Sequence, residues 1–222
     1  MEAAKCQIGG SDYVGAFATS TDNYTFVPIG LQARIKALIE STLKTRCIVV
    51  PCGGVDLIGL FCRANSNGIA MSNIATDEDV MAIKKMGLGI NVEIIDSNIN
   101  AIGNAVLAND KIAFVDSEYT EKETKQIGDV LGVEAVRMAI GGFRTVGATN
   151  ILTNKGLVIN NHGTDKEKNE IDRLTGFESV STTANTGSLS IGLASISNSN
   201  GLLVGDETTG FEMNRILQGL GT

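Results

Sequence analysis

Thr145-Val146-Gly147-Ala148 is one of five near-copies of a short stretch, and the even spacing of those copies decides the fold. A β-branched residue stands directly before each recurring glycine, in Val14-Gly15, Ile58-Gly59, Ile102-Gly103, Val146-Gly147 and Ile191-Gly192, at intervals of 44, 44, 44 and 45 residues. The 222 residues hold about five such periods, so the repeat spans the whole chain and predicts five modules.

Each module reads as three strands and a helix. In the second, Arg46 to Pro51 is extended, Gly53-Gly54 turns, and Leu57 to Ala64 is expected as a second strand running through Gly59. Asn65-Ser66-Asn67-Gly68 is a hairpin turn, because Asn and Gly tolerate positive φ, and Ile69-Ala70-Met71 returns as a third strand. Thr76 or Asp77 can then cap a helix, with acidic residues at its positive end. The other turns fall at Thr21-Asp22-Asn23, Asn109-Asp110-Lys111, Asn154-Lys155-Gly156 and Asn198-Ser199-Asn200-Gly201. First strands are expected at Cys6-Ile8, Cys47-Val50, Val92-Ile95, Glu134-Met138 and Glu178-Ser181. Helices are expected at Leu31 to Leu43, Thr120 to Leu131, Asp165 to Leu174 and Thr208 to Leu220, each with one apolar stripe.

A unit of this size cannot bury both faces of its own sheet, so the modules must pack around an axis. The terminal modules are as apolar as the middle ones, which favours a closed ring over an open solenoid. The expected fold class is α+β, a five-module α/β propeller forming a single domain over residues 1–222. Gly15, Gly59, Gly103, Gly147 and Gly192 would lie where five strands crowd together, and the β-branched residues would fill a buried layer. The residue after each glycine is expected on the same strand face as the β-branched one: Ala16, Leu60, Asn104, Ala148 and Leu193. Four are apolar and one is an amide, which is either a buried amide satisfied by backbone or a hydrogen-bonding group at the mouth of the ring.

With 43% hydrophobic and 19% charged residues and no charge blocks, the chain can bury a real core. No run of about 18 apolar residues is present, and Met1-Glu2-Ala3-Ala4-Lys5 lacks the apolar core of a signal peptide, so cytoplasm is the expected compartment. A net charge of −7 opposes tight binding along a phosphate backbone and suits a basic protein partner, although mild acidity also serves solubility alone. Cys6, Cys47, Cys52 and Cys62 form no C-x-x-C pair and read as structural thiols.

Five such modules invite comparison with the pentein-like amidine-processing enzymes, which use a Cys nucleophile with His and acidic partners. No cysteine follows Cys62, and the lone histidine, His162, reads as a polar turn residue ahead of a helix. The pairs Gly9-Gly10, Gly53-Gly54 and Gly141-Gly142 precede strands and bring no Gly-Lys-Ser/Thr, so they are turns and not phosphate loops. Asp206-Glu207-Thr208-Thr209-Gly210 reads as a helix cap with acidic first-turn residues. Neither catalysis, a cofactor nor a metal is expected.

Three groups of segments resemble the translation initiation factor 6 family in its archaeal and eukaryotic forms. They are Asn91 to Ile95 with Ala101-Ile102-Gly103-Asn104 and Asn109-Asp110; Thr145-Val146-Gly147 with Thr153-Asn154-Lys155-Gly156; and Ala184 to Ser188 with Val204 to Glu212. The similarity runs from about Val14 to about Leu220. It implies a five-bladed propeller without enzymatic activity that binds the large ribosomal subunit and blocks its joining to the small one. It also implies docking on ribosomal protein uL14 with ribosomal RNA nearby, and a monomer. Asn104 matches a family position on the ribosome-facing side, and Leu60 matches a neighbouring one that is often basic. Thr186 replaces a residue that is usually Lys or Arg. The chain lacks the eukaryotic carboxy-terminal extension, which points to an archaeal-type member. An amidine-modifying enzyme and a repeat scaffold with another partner are the alternatives.

Overall fold

The computed structural model describes residues 1–221. Strand β1 (Glu2–Cys6) is followed by a 3-10 turn (Val14–Ala16), the hairpin β2 (Thr19–Ser20) and β3 (Tyr24–Val27), helix α1 (Ala33–Leu43) and β4 (Arg46–Val49). The second module holds α2 (Ile58–Phe61), β5 (Cys62–Ala64), β6 (Gly68–Ser72), α3 (Asp77–Lys84) and β7 (Asn91–Ile95). The third holds α4 (Ile102–Ala105), β8 (Val106–Ala108), β9 (Ile112–Val115), α5 (Glu121–Leu131) and β10 (Glu134–Arg137). In the fourth come α6 (Val146–Thr149), β11 (Ile151–Leu152), β12 (Leu157–Asn160), α7 (Asp165–Thr175) and β13 (Val180–Thr182). A hydrogen-bonded turn at 191–194 opens the fifth, followed by β14 (Ser195–Ser197), β15 (Gly201–Gly205) and α8 (Gly210–Gly219).

The strands form five three-stranded sheets with orders β2-β3-β4, β5-β6-β7, β8-β9-β10, β11-β12-β13 and β14-β15-β1. In each, the first two strands are an antiparallel hairpin, and the third lies parallel to the middle strand after the helical crossover. The strands expected to open a module therefore complete the sheet of the preceding one. The fifth sheet takes its outer strand from the other end of the chain: β1 pairs with β15 from Glu2↔Gly201 to Cys6↔Gly205.

The recurring glycines correct the sequence reading. They lie in short helical turns that precede the first strand of each hairpin, not within a strand. A Cβ on Gly59 would overlap the carbonyl of Gly15. The same overlap links Gly103 to Gly59, Gly147 to Gly103, Gly192 to Gly147, and Gly15 back to Gly192. Five carbonyls thus rest on five bare Cα atoms in a cycle of contacts. Glycine is required here by proximity and not by its backbone dihedrals.

The β-branched residues before these glycines are buried as expected, and each belongs to a different one of five hydrophobic clusters. Helices join neighbouring clusters. Helix α5 packs on β10 of its own module and on β6 and β7 of the second, while α1 packs on β4 and also on β1 and β15 of the fifth. On α1, Ile35, Ile39 and Leu43 are the buried stripe, at the i, i+4, i+8 spacing of one helical face.

At the opposite end of the hairpins, the turn residues tie modules together. Asn65 Oδ1 accepts from the amides of Asn67 and Gly68, closing its own turn. Its Nδ2 donates to the carbonyls of Asn109 (2.9 Å) and Leu131 (2.7 Å), the latter the last residue of α5. Asn198 repeats the arrangement, reaching Thr21 O (3.0 Å) and Leu43 O (2.9 Å), and Asn109 donates to Thr153 O (3.0 Å). A helix end left open by the α-helical pattern is in this way satisfied from the next module.

Gly147→Ala is expected to destabilise the chain by about 3 kcal/mol or more, since the new methyl meets two carbonyls of the third module and the Arg63 head group of the second, and the backbone cannot yield cheaply. Gly54→Ala, at φ +72° but with open space around it, should cost only about 1 kcal/mol. Asn65→Ala orphans the carbonyl of Asn109 and leaves that of Leu131 to Asn67 Nδ2 alone, and should cost roughly 1–3 kcal/mol. Denaturant unfolding of the three variants checks this ranking.

Candidate docking face

The five short turns present equivalent positions on one construction. In a helical turn, residues two apart are rotated by about 200°, so the residue after the glycine points away from the core that the β-branched residue enters. This replaces the expectation of a shared strand face. Ala16, Leu60, Asn104 and Leu193 are accordingly half-buried, while Ala148 is only 4% exposed and offers little side-chain surface. Backbone bonds connect several of these turns directly: Gly15 N donates to Leu193 O (2.8 Å) and Leu193 N to Ala148 O (3.1 Å).

Asn104 differs from its four counterparts chemically. Its backbone amide is satisfied within the turn by Ala101 O (2.9 Å), but its side-chain Oδ1 is sealed from solvent and has no hydrogen-bond partner among the described residues. An orphaned buried acceptor is uncommon in folded proteins and costs free energy until something donates to it.

In four of the five modules a carboxylate on the module's own helix completes that helix's cap, and in three it also holds the loop entering the turn. In α3, α5, α7 and α8 the N-cap is Thr76, Thr120, Thr164 and Thr209, with Asp79, Glu123, Glu167 and Glu212 completing a capping box. The same carboxylates reach outward: Asp79 accepts from Gly53 N (2.7 Å), Glu167 from Gly141 N (3.2 Å) and Glu212 from Gly187 N (2.8 Å). Gly9-Gly10, Gly53-Gly54 and Gly141-Gly142 are turns as expected, but they lead into helical turns instead of strands. The first module lacks the device, because α1 begins at Gln32 without a side-chain cap.

Glu212 carries most. It is 5% exposed and accepts from Thr209, Thr183 Oγ1 (2.7 Å), Thr186 N (3.2 Å) and Gly187 N. These bonds fix Asn185 and Thr186 at φ 43° and 59°, a conformation that L-residues adopt only under constraint. Burial alone would raise the Glu212 pKa, but the bonds from Thr209, Thr183 and Gly187 outweigh it and hold the carboxyl at about 2. Asp206 and Glu207, expected in the first turn of this helix, precede it. The cap is Thr209, and Glu212 is the only acidic residue in that turn.

The four cysteines are buried and free; burial pushes Cys6 up to about 11 and Cys47 up to about 12, so neither is a ready thiolate. Cys62 Sγ lies 3.8 Å from Cys52 Sγ inside the second cluster. His162 occupies its expected turn, with its amide donating to Asn160 Oδ1 and its ring against Phe143. No group of three His, Cys, Asp or Glu among the described residues is arranged to hold a metal, and no described helix is long and apolar enough to cross a membrane.

Because the Glu212 pKa falls on folding, its contribution is present above the unfolded value of 4.5 and is lost as pH drops through about 2. Glu212→Gln is expected to lower stability at pH 7 by on the order of 3 kcal/mol and to narrow the gap from wild type as pH falls below 4. Thermal unfolding of both proteins as a function of pH measures it.

A family model described as the eIF-6 family matches residues 3–219. The chain is 34% identical over 213 residues to translation initiation factor 6 of Picrophilus torridus, covering 96% of each chain. It is 34% identical over 225 residues to the Pyrococcus horikoshii protein of that name, covering 100% of this chain and 99% of the other, and 33% identical over 222 residues to that of Saccharolobus islandicus, covering both fully. Their shared name is that of a translation factor, a non-enzymatic role, and the amidine-processing alternative falls away. The fold, the five turns and the full-length similarity together establish that this chain belongs to the eIF-6 family.

Proposed function

We propose that the chain is a cytoplasmic translation initiation factor that binds the large ribosomal subunit and sterically prevents its joining to the small one, in initiation and in large-subunit maturation. Family membership supports the translation role, and the half-buried Asn104, the one amide among five equivalent turn positions, is the observation that carries the docking face. In this reading the modules form a single closed, pentein-like ring over residues 1–222. The cyclic glycine contacts and the β1–β15 pairing support it. The ring works as a monomeric rigid disc whose glycine-turn face meets ribosomal protein uL14 with ribosomal RNA beside it.

Rigidity favours this role. A standard interface of roughly 1,600 Å² yields useful affinity only when little is ordered on binding, and turns locked by backbone bonds and capping carboxylates are ordered in advance. Leu60 supplies apolar contact instead of a charge. A chain of net charge −7 gains association rate on a basic ribosomal protein, and that gain declines with salt.

Co-sedimentation with large subunits, with loss of joined ribosomes at excess protein, is the expected result; normal joining at saturating protein would refute the proposal. Asn104→Ala removes an acceptor that nothing in the chain satisfies, so its melting temperature should hold or rise. Its affinity for large subunits should fall about 10-fold or more. A variant with unchanged affinity would take Asn104 out of the interface.

A further inference from the structure

Cys52 and Cys62 stand at the two ends of one short segment. Cys52 follows β4 and opens the Gly53-Gly54 loop, and Cys62 is the first residue of β5, so residues 53–61 between them hold that loop and all of α2. The segment is the second module's glycine turn with its approach, and it carries Gly59 and Leu60. Both side chains belong to the same hydrophobic cluster, with Phe26, Ile58 and Met71. Cys62 Sγ lies 3.8 Å from Cys52 Sγ, and a disulfide would bring the two to about 2.05 Å, an approach of about 1.8 Å.

The two thiols are not equivalent. Cys62 donates its S–H to Cys52 Sγ, and that bond lowers the Cys52 pKa and raises that of Cys62. Cys52 is therefore the better nucleophile of the pair. It is also the one beside a loop that can open. Gly53 and Gly54, which follow it, are exposed and at positive φ, and Gly54 has open space around it. The loop is held by Gly53 N donating to Asp79 Oδ2 (2.7 Å) and by Val55 N donating to Cys52 O (3.1 Å). Breaking these two bonds uncovers Cys52 while the sheet and helix of the module stay formed. Cys6 and Cys47 lie in a different cluster and serve as internal controls.

We propose that Cys52 and Cys62 are a redox modification site, where the folded chain forms a reversible disulfide with a low-molecular-weight disulfide as oxidant. The Cys52 thiolate attacks one sulfur of the oxidant and expels a thiolate, leaving a mixed disulfide on Cys52. Cys62, deprotonated in turn, attacks Cys52 Sγ and expels the second thiolate. Two cysteine thiols are oxidised to one disulfide, the oxidant is reduced to two thiols, and the two protons lost by the cysteines end on those thiols. The bridge clips the second glycine turn at both of its ends and shortens the free chain of the unfolded state, so the oxidised form is the more stable one. This is independent of ribosome binding.

The folded chain, incubated with hydroxyethyl disulfide and then unfolded in denaturant, is expected to titrate half of its four thiols, with a peptide map joining Cys52 to Cys62. Dithiothreitol should restore all of them. An undiminished thiol count, a bridge that includes Cys6 or Cys47, or bridging that occurs only in denaturant overturns the proposal. Cys62→Ala should stop at the mixed disulfide on Cys52, while Cys52→Ala should leave Cys62 unmodified; the reverse pattern refutes the order of attack. The bridged chain should unfold several degrees above the reduced one, and an equal or lower midpoint refutes the clip. The wild-type thiol count decides the matter even where a variant fails to fold.

Discussion

A carbonyl oxygen resting on the bare Cα of a glycine in the next module sets the distance between neighbouring modules in this molecule. Any side chain at Gly15, Gly59, Gly103, Gly147 or Gly192 would push a neighbouring backbone away, and each module depends on that backbone. The β-branched residue before each glycine enters a hydrophobic cluster, so the same turn that allows close approach also anchors its module in the core. Close approach and anchoring are two properties of adjacent residues.

The opposite end of the hairpins is held by polar groups. Buried Asn65, Asn109 and Asn198 each close their own turn through one end of the amide and satisfy a foreign carbonyl through the other. A buried amide is favourable only when both ends are used, so these residues specify which modules are neighbours as well as stabilising them. The capping carboxylates act likewise between helix and loop, and the loops they fix carry the glycine turns.

Against this near-symmetry, the informative residues are those that break it. Asn104 places an unsatisfied acceptor where Ala16, Leu60, Ala148 and Leu193 place hydrocarbon. Arg63 places a charge in the narrow space between the glycine turns, whose other lining residues are uncharged. Both lie where five copies converge, so a single side chain changes the chemistry of a shared surface.

The period of the glycines, the burial of Val14, Ile58, Ile102, Val146 and Ile191, the hairpin turns and the Thr76 cap were legible in the sequence, because each rests on interactions within a few residues. Asn104 was legible too, by comparison among five copies. Tertiary structure alone decided that the glycines sit in helical turns: three-residue turns carry no periodicity, and apolar residues around a glycine suit a strand equally well. It alone decided that β1 completes the fifth sheet, since strand pairing across nearly 200 residues leaves no local mark. The orphaned state of Asn104 Oδ1, Thr19 Oγ1 and Arg63 Nε was likewise beyond the sequence. Whether a polar group is satisfied depends on every atom packed around it, and those atoms come from modules far apart in the chain.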